Sequence, residues 1–383
     1  MKDKYQNLFQ DFTFKSGVHV KNRLMMAPMT TFSADENDYV SQEELNYYKE
    51  RANGVGTIIT ACAYVSRNGK GFDGQMGIDH DGTIDDLSKL ADVIHSGGAK
   101  GVVQLYHGGR LAVPRLIPTG ETVSASAVAP LGDRGFYSIG QTPRALTTDE
   151  VYEIIKDFGD ATRRTIKAGF DGVELHGATG YLLQQFVSPH SNQRTDEFQN
   201  RYVFAIKLID EVKRVIIEHA TKPFLIGYRF SAEEPETPGI TMKETFELLD
   251  ELMKADIDYI HIATTNAWAK PRRGINSEKS RTELIAEYID GRVPVIGVGN
   301  IHTPDEAAHV FEKGKTDFIA LGRALVVDPH WVEKVQHHEE ETIRHQLTTT
   351  DQHQAVIPTP LWKLILEVEG WFPVVRLEQL EKK

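Results

Sequence analysis

Apolar residues in this chain come in short continuous runs rather than in strict alternation with polar ones. Eight runs recur at intervals: "NRLMMAPMT" (22–30), "VGTIITACAYV" (55–65), "GVVQLYH" (101–107), "GVELHGA" (172–178), "FLIGYRFS" (224–231), "YIHIAT" (259–264), "VPVIGVGN" (293–300) and "FIALGRAL" (318–325). Runs of this kind, rich in aliphatic and β-branched residues, suit strands covered on both faces, the usual condition of a parallel sheet. Longer mixed stretches separate them and carry helix signals. "SQEE" (41–44), "TTDE" (147–150) and "TPDE" (303–306) have the Ser/Thr-x-x-Glu spacing that satisfies free amides at a helix start. Gly54, Gly97, Gly169, Gly291 and Gly314 stand where helices should stop, because glycine accepts the left-handed conformation that closes them. The pattern predicts an α/β fold, a (β/α)8 barrel. A doubly wound open sheet is the alternative, but no G-x-G-x-x-G follows the first strand.

Two stretches fall outside the repeat. Residues 8–20 alternate like a hairpin and are expected to plug the bottom of the barrel. Residues 108–146, rich in Gly, Pro, Ser and Arg, form a long loop after strand 3, and so long a loop usually covers a site. The barrel is expected to occupy residues 1–345. A tail, 346–383, contains the apolar segment "LWKLILEVEGWF" (361–372), which packs either on the barrel or across a subunit interface, so a homo-oligomer stays open.

Composition removes some function classes. A formal charge of −12 over 383 residues disfavours a nucleic-acid partner, since phosphates call for a basic face. The single cysteine, Cys62, allows no internal disulfide and suits a reducing compartment. Neither a signal-peptide core nor an apolar run of membrane length is present, so a cytoplasmic protein is expected. The histidines at 337, 338, 345 and 353 lack metal-ligand spacing, and no metal is expected.

Active sites of such barrels form at the carboxyl ends of the strands. Those ends read "APMT", "QLYHGGR", "ELHGATGYL", "YRFSA", "GVGN" and "LGRAL" in strands 1, 3, 4, 5, 7 and 8. Glycine-rich loops after strands 7 and 8 are the usual phosphate seat, and Arg323 adds a fixed positive charge there.

Taken in order and spacing, "NRLMMAPMTT", "QLYHGGR", "GFDGVELHGATGYLLQQFVSPHSNQRTDEF", "GVGN" and "FIALGRALVVDP" resemble the Old Yellow Enzyme family, most closely its bacterial NADH-dependent flavin oxidoreductase branch. The likeness runs over roughly residues 5 to 335. It implies non-covalent FMN at the barrel top, NADH or NADPH as reductant, and ping-pong reduction of activated alkenes such as enones, maleimides and nitroalkenes. It also implies roles. Pro28 and Met29 line the flavin, Thr30 donates to its C4 carbonyl oxygen, Cys62 offers its backbone to the ring, and Gln104 meets the pyrimidine edge. Arg229 sits beside N1, and Gly299, Asn300, Gly322 and Arg323 hold the phosphate. His176 and Thr179 polarise the substrate oxygen, and Tyr181 supplies the proton. Tyr106 either lines the substrate pocket or packs in the core, and His107 and Arg110 fit a structural role as well as a functional one.

Two departures stand out. The family usually has His or Asn where this chain has Thr179, and "RTDEFQNRY" (194–202) lacks a "GGSxE" insert. Two other readings follow from the same resemblance. One is a related flavin oxidoreductase reducing dienoyl thioesters or oxidising amines, although larger relatives of that kind carry a cysteine cluster that one cysteine cannot supply. The other is a flavin-binding protein with weak ene-reductase activity.

Overall fold

The computed structural model describes residues 1–131 and 141–375. The eight apolar runs become eight strands: β1 (Leu24–Met26), β2 (Thr57–Tyr64), β3 (Lys100–Tyr106), β4 (Gly172–Gly177), β5 (Leu225–Phe230), β6 (Tyr259–Ile262), β7 (Val295–Gly297) and β8 (Phe318–Leu321). They pair in sequence order and close into a barrel, β8 joining β1, and each pairing is parallel. Every residue of β2, β4, β6, β7 and β8 is buried, which is why these strands read as runs rather than as alternations.

The helices outside the barrel begin where their caps predict. Helix α1 (Gln42–Arg51), α3 (Thr148–Lys167) and α8 (Pro304–Lys313) start at capping boxes on Ser41, Thr147 and Thr303. Two more boxes, on Thr241 before α6 (Met242–Lys254) and Ser280 before α7 (Arg281–Ile289), have the same Thr/Ser-x-x-Glu spacing. Helices α2 (Ile84–Ser96), α4 (Leu182–Val187) and α5 (Val203–His219) complete the set up to β5. Gly169 and Gly291 take the expected positive φ. Gly97 and Gly314 do not, with φ of −89° and −71°. They are glycines because of crowding, since a Cβ there would lie 2.5 Å from the Ala52 carbonyl carbon and 2.3 Å from the Val310 oxygen.

A short hairpin, Phe12–Thr13 against His19–Val20, closes the amino-terminal end of the barrel. Phe14 at its turn stacks on Phe318 at 5.1 Å and joins Met25, Ile59, Val102, Leu225 and Ile296 in one buried cluster. The opposite end is left for chemistry. The loop between β3 and α3 is pinned by an internal strand pair, Val123–Ser124 with Arg144–Ala145, while its centre lies outside the described residues. After β8 come α9 (Arg323–Val327), α10 (Trp331–Gln336) and the tail helix α11 (Thr359–Glu367). The α11 residues Leu361, Trp362 and Ile365 are buried in the main core of the barrel. Among the described residues, no helix is long and apolar enough to cross a membrane.

Candidate active site

Strand pairing alone brings several candidate residues to two successive levels near the carboxyl end, since Gln104 pairs with Glu174, two residues before His176. His176 pairs with Arg229, Arg229 with His261, and Cys62 with Gln104. A bulge between Ile59 and Cys62 shifts the register of β2, and such a bulge re-aims the side chains beyond it. Thr30, just past β1, has its hydroxyl 3.9 Å from the Cys62 sulfur. Burial pushes the Cys62 thiol up to about 12, so it stays protonated and serves as packing.

The chain after β4 makes the turn that gives the site its shape. Thr179 and Gly180 are both left-handed, with φ of 61° and 82°. The Thr179 amide donates to the Ser231 hydroxyl at 2.9 Å, and the Gly180 amide to the Gln184 side chain at 2.8 Å. This reversal brings Tyr181 back over His176, with ring centroids 5.0 Å apart and edge to face. Tyr106 packs against both, 4.5 Å from Tyr181 and 5.9 Å from His176. His176 and Tyr181 are each 5% exposed, whereas Thr179 is exposed on the rim.

His176 is neutral in this setting. Burial first, then the positive charge of Arg229 and the neighbouring His261, hold its pKa well below the usual histidine range. Its Nδ1 accepts from the Ala178 amide at 3.4 Å, which places the proton on Nε2. A neutral donor therefore faces the site. His107 and Arg110 are occupied elsewhere: His107 Nδ1 accepts from the Gly109 amide at 3.0 Å, and Arg110 donates to the Val128 oxygen at 3.0 Å.

The interior below holds two residues that the sequence reading passed over. Glu174, fully buried, accepts from the Gln104 amide at 2.7 Å and from His261 Nδ1 at 2.8 Å. Burial alone would raise its carboxyl, but His261, Arg229 and Gln104 outweigh that and hold it below the usual range. Period-two spacing from His176 was the available signal for Glu174, since both point to one face of β4. For His261 there was no signal apart from its place near the end of β6.

The phosphate-seat candidates also meet. Arg323 donates to the Asn300 side-chain oxygen at 3.0 Å and to the Trp371 carbonyl at 3.1 Å, and forms no ion pair among the described residues. Gly299 has φ 119°, and a Cβ on it would press on the Ala267 and Asn266 amides at 2.8 and 2.9 Å. A Cβ on Gly322 would lie 3.1 Å from the Met29 sulfur, so Met29, beside Pro28, touches the seat. Trp371 comes from the tail, and nothing in its local sequence signalled a place here. A cavity of about 570 Å³ opens between the β3 loop and α11, with Phe32 and Phe72 in its wall. Phe72 is also 6.4 Å from Tyr181.

These residues suit a flavin mononucleotide. Arg229 has a buried Nε without an acceptor, although the residue as a whole keeps some exposure, so its cationic head faces the open end. A guanidinium held this way matches the oxygen and nitrogen acceptors of a pyrimidine edge. Arg323, without a carboxylate partner, suits a phosphate. A parallel barrel with such a candidate seat after its last two strands and that cation at the end of β5 suits a flavin-nucleotide oxidoreductase. The chain belongs to the NADH:flavin oxidoreductase / NADH oxidase family, the group of Old Yellow Enzyme, whose family model matches residues 7–342. Its members use FMN and draw electrons from NADH or NADPH. The chain is 45% identical over 377 residues to the probable NADH-dependent flavin oxidoreductase YqiG of Bacillus subtilis (strain 168), covering 97% of this chain and 99% of that one. It is 40% identical to the NADH:acrylate oxidoreductase of Vibrio harveyi, covering 94% of this chain but only 36% of that longer protein. Among solved structures, morphinone reductase in complex with tetrahydroNAD superposes with a TM-score of 0.73 at 25% identity, over 87% of this chain and 91% of that one.

Proposed function

We propose that this protein reduces activated alkenes, among them enones, maleimides and nitroalkenes, with electrons from NADH or NADPH in two alternating half-reactions. FMN, when bound, supplies the two-electron chemistry, drawing on NAD(P)H in one half-reaction and serving the alkene in the other. The observation that carries the reading is the pairing of a neutral His176, protonated on Nε2, with Tyr181 at 5.0 Å in a buried aromatic pocket.

The chain's own residues have distinct tasks in that scheme. Thr30 and Gln104 would hold the flavin's carbonyl and pyrimidine edges, and Arg229 would favour electron density beside N1. Gly299, Asn300, Gly322 and Arg323 would hold the phosphate. His176 Nε2–H donates to the substrate's carbonyl or nitro oxygen, where negative charge grows as the double bond is reduced. Tyr181 passes its hydroxyl proton to the carbon next to the carbonyl and recovers one from water. Tyr106, Phe72 and Phe32 keep the pocket apolar, which strengthens each of these polar contacts. Thr179, on the rim, offers one further donor. The named activity of the Vibrio harveyi relative makes 2-enoates a class to assay beside enones.

The test is the visible spectrum. Purified protein should be yellow, release FMN on denaturation, bleach with NAD(P)H and recover its colour with an N-substituted maleimide. His176→Ala should slow the recovery by about 10²–10³ and the bleaching much less, the scale for losing one oxyanion-type donor. Tyr181→Phe should slow recovery with cyclohexenone but hardly with a nitroalkene, whose product water can protonate. A protein that bleaches but never recovers with any alkene would refute the reading.

A further inference from the structure

The interior carboxylate under the site has no task in the scheme above. Glu174 is fully buried, and its hydrogen-bond partners come from β3 and β6 on either side of it. Gln104 gives it an amide N–H at 2.7 Å, which leaves the Gln104 carbonyl as the free end of that side chain. His261 gives it Nδ1–H at 2.8 Å, and its Nε2 is buried without a partner. Arg229 lies on the strand between His176 and His261 and is in register with both, and Glu174 is the neighbouring negative charge that it feels most strongly. The Arg229 Nε is likewise buried without an acceptor. One layer of the barrel thus holds a carboxylate, and the layer above holds an arginine that it only partly neutralises.

We propose that Glu174 is a positioning residue for the pyrimidine end of FMN, with two separable effects. It orients the Gln104 amide so that the carbonyl faces the cofactor, and its charge limits how strongly Arg229 favours the reduced cofactor. The physical basis of the first effect is that an amide can present either end, and a bound carboxylate takes only the N–H end. The second follows from Coulomb interactions in a low-dielectric interior, where a fixed anion near a cation weakens the field that the cation projects onto a third group. Neither effect needs Glu174 to touch substrate or cofactor. The inference rests on FMN binding at this barrel end.

The two effects call for two variants of the holoenzyme. Glu174→Gln removes the charge at constant shape; because its amide can pair with either end of Gln104, the charge effect is read from the potential, which compares two states of the same bound FMN. Reduced FMN should then be bound at least tenfold more tightly relative to oxidised FMN, which raises the two-electron midpoint potential by about 30 mV or more, since tenfold corresponds to 29.6 mV. Glu174→Asp keeps the charge but draws the carboxylate back from Gln104. Its midpoint potential should stay at the wild-type value while the dissociation constant of oxidised FMN rises about tenfold. A merely structural role would lower the unfolding midpoint of both variants and leave the potential where it was, and that result overturns the proposal. Unchanged potential and unchanged FMN affinity in folded Glu174→Gln overturn it as well. Should Glu174→Gln fail to fold, the Asp variant decides: a shifted potential or an unaltered FMN affinity there would refute the two-part role. Wild-type protein measured alongside separates this inference from the wider one, because a wild-type chain that takes up no FMN refutes the functional assignment itself.

Discussion

At the scale of single residues, Thr179 is the site candidate with a strained backbone. A β-branched residue at φ 61° is strained, and asparagine tolerates that conformation far better. The strain is held by the Thr179 amide bond to Ser231 and by the Gly180 bond to Gln184. Thr179→Asn should therefore raise stability by about 1 kcal/mol. It should also add reach on the substrate side, speeding simple cyclic enones by about tenfold or less, since a neutral hydrogen bond contributes about 1 kcal/mol. Maleimides, already activated, should hardly respond. Comparing kcat/KM for cyclohexenone and a maleimide, together with the melting temperature, checks both parts. Loss of activity on both substrates would show that threonine is shape-matched to the substrate. A second residue sets a pH dependence. Glu44 accepts from the Thr31 hydroxyl at 2.5 Å and from the Ser41 amide at 3.2 Å, yet burial pushes its carboxyl up from 4.5 to about 7. Between those two values the folded protein keeps a proton that the unfolded chain has released. Stability therefore falls as pH rises through this window and levels off above it. Glu44→Gln should flatten that slope by about 3 kcal/mol across the window in urea titrations at several pH values. Parallel slopes in the two proteins would remove Glu44 as the cause.

Among the secondary-structure elements, Arg51 shows how one side chain can tie three together. At 1% exposure it donates to Tyr47 in α1, to Leu325 and Val326 in α9, and to Ala355 and Val356 in the tail. Among the described residues no carboxylate pairs with it, so its charge is met by carbonyl dipoles and by the face of the Tyr47 ring, 3.9 Å away. Helix α9 starts at Arg323, in the candidate phosphate seat, so Arg51 braces that candidate site. Arg51→Met keeps the apolar stem but leaves buried carbonyls unsatisfied. It should cost about 3 kcal/mol or more of stability and weaken FMN binding, as read by urea unfolding and by fluorescence of released FMN. A stable variant with loosened FMN would place the effect in α9. An unstable variant with normal FMN affinity would place it in the tail. The helix starts were legible because capping is local: a Ser or Thr and a Glu three residues on satisfy amides of the same turn. The stop at Gly97 was legible as a glycine but not in its reason, because the crowding comes from Ala52, just past the end of α1.

The molecule as a whole divides its labour between two ends. The amino-terminal end is sealed by Phe14 against Phe318 and the other core residues of that cluster, and the carboxyl-terminal end carries the candidate chemistry. Phe14→Ala should lose about 3–5 kcal/mol of stability through the cavity it leaves, with kcat/KM unchanged below the unfolding transition. A fall in kcat/KM at full folding would mean that the plug and the site are coupled through the barrel. Strand order, closure and the pull of parallel pairing into two-sided burial follow from the eight apolar runs, because hydrophobic patterning is a property of neighbours along the chain. The sequence by itself also determined the family, since the strand-end motifs occur in order and spacing. Contacts between distant segments were decided only by tertiary structure. Glu174 gained its meaning from Gln104 and His261, 70 and 87 residues away in sequence. Trp371 reached Arg323 and the candidate phosphate seat from the tail, 48 residues further along the chain. The charge state of His176 depended on burial and on Arg229 across a strand pair. In each case the deciding quantity is a through-space distance or a local dielectric, and neither is written in the order of residues.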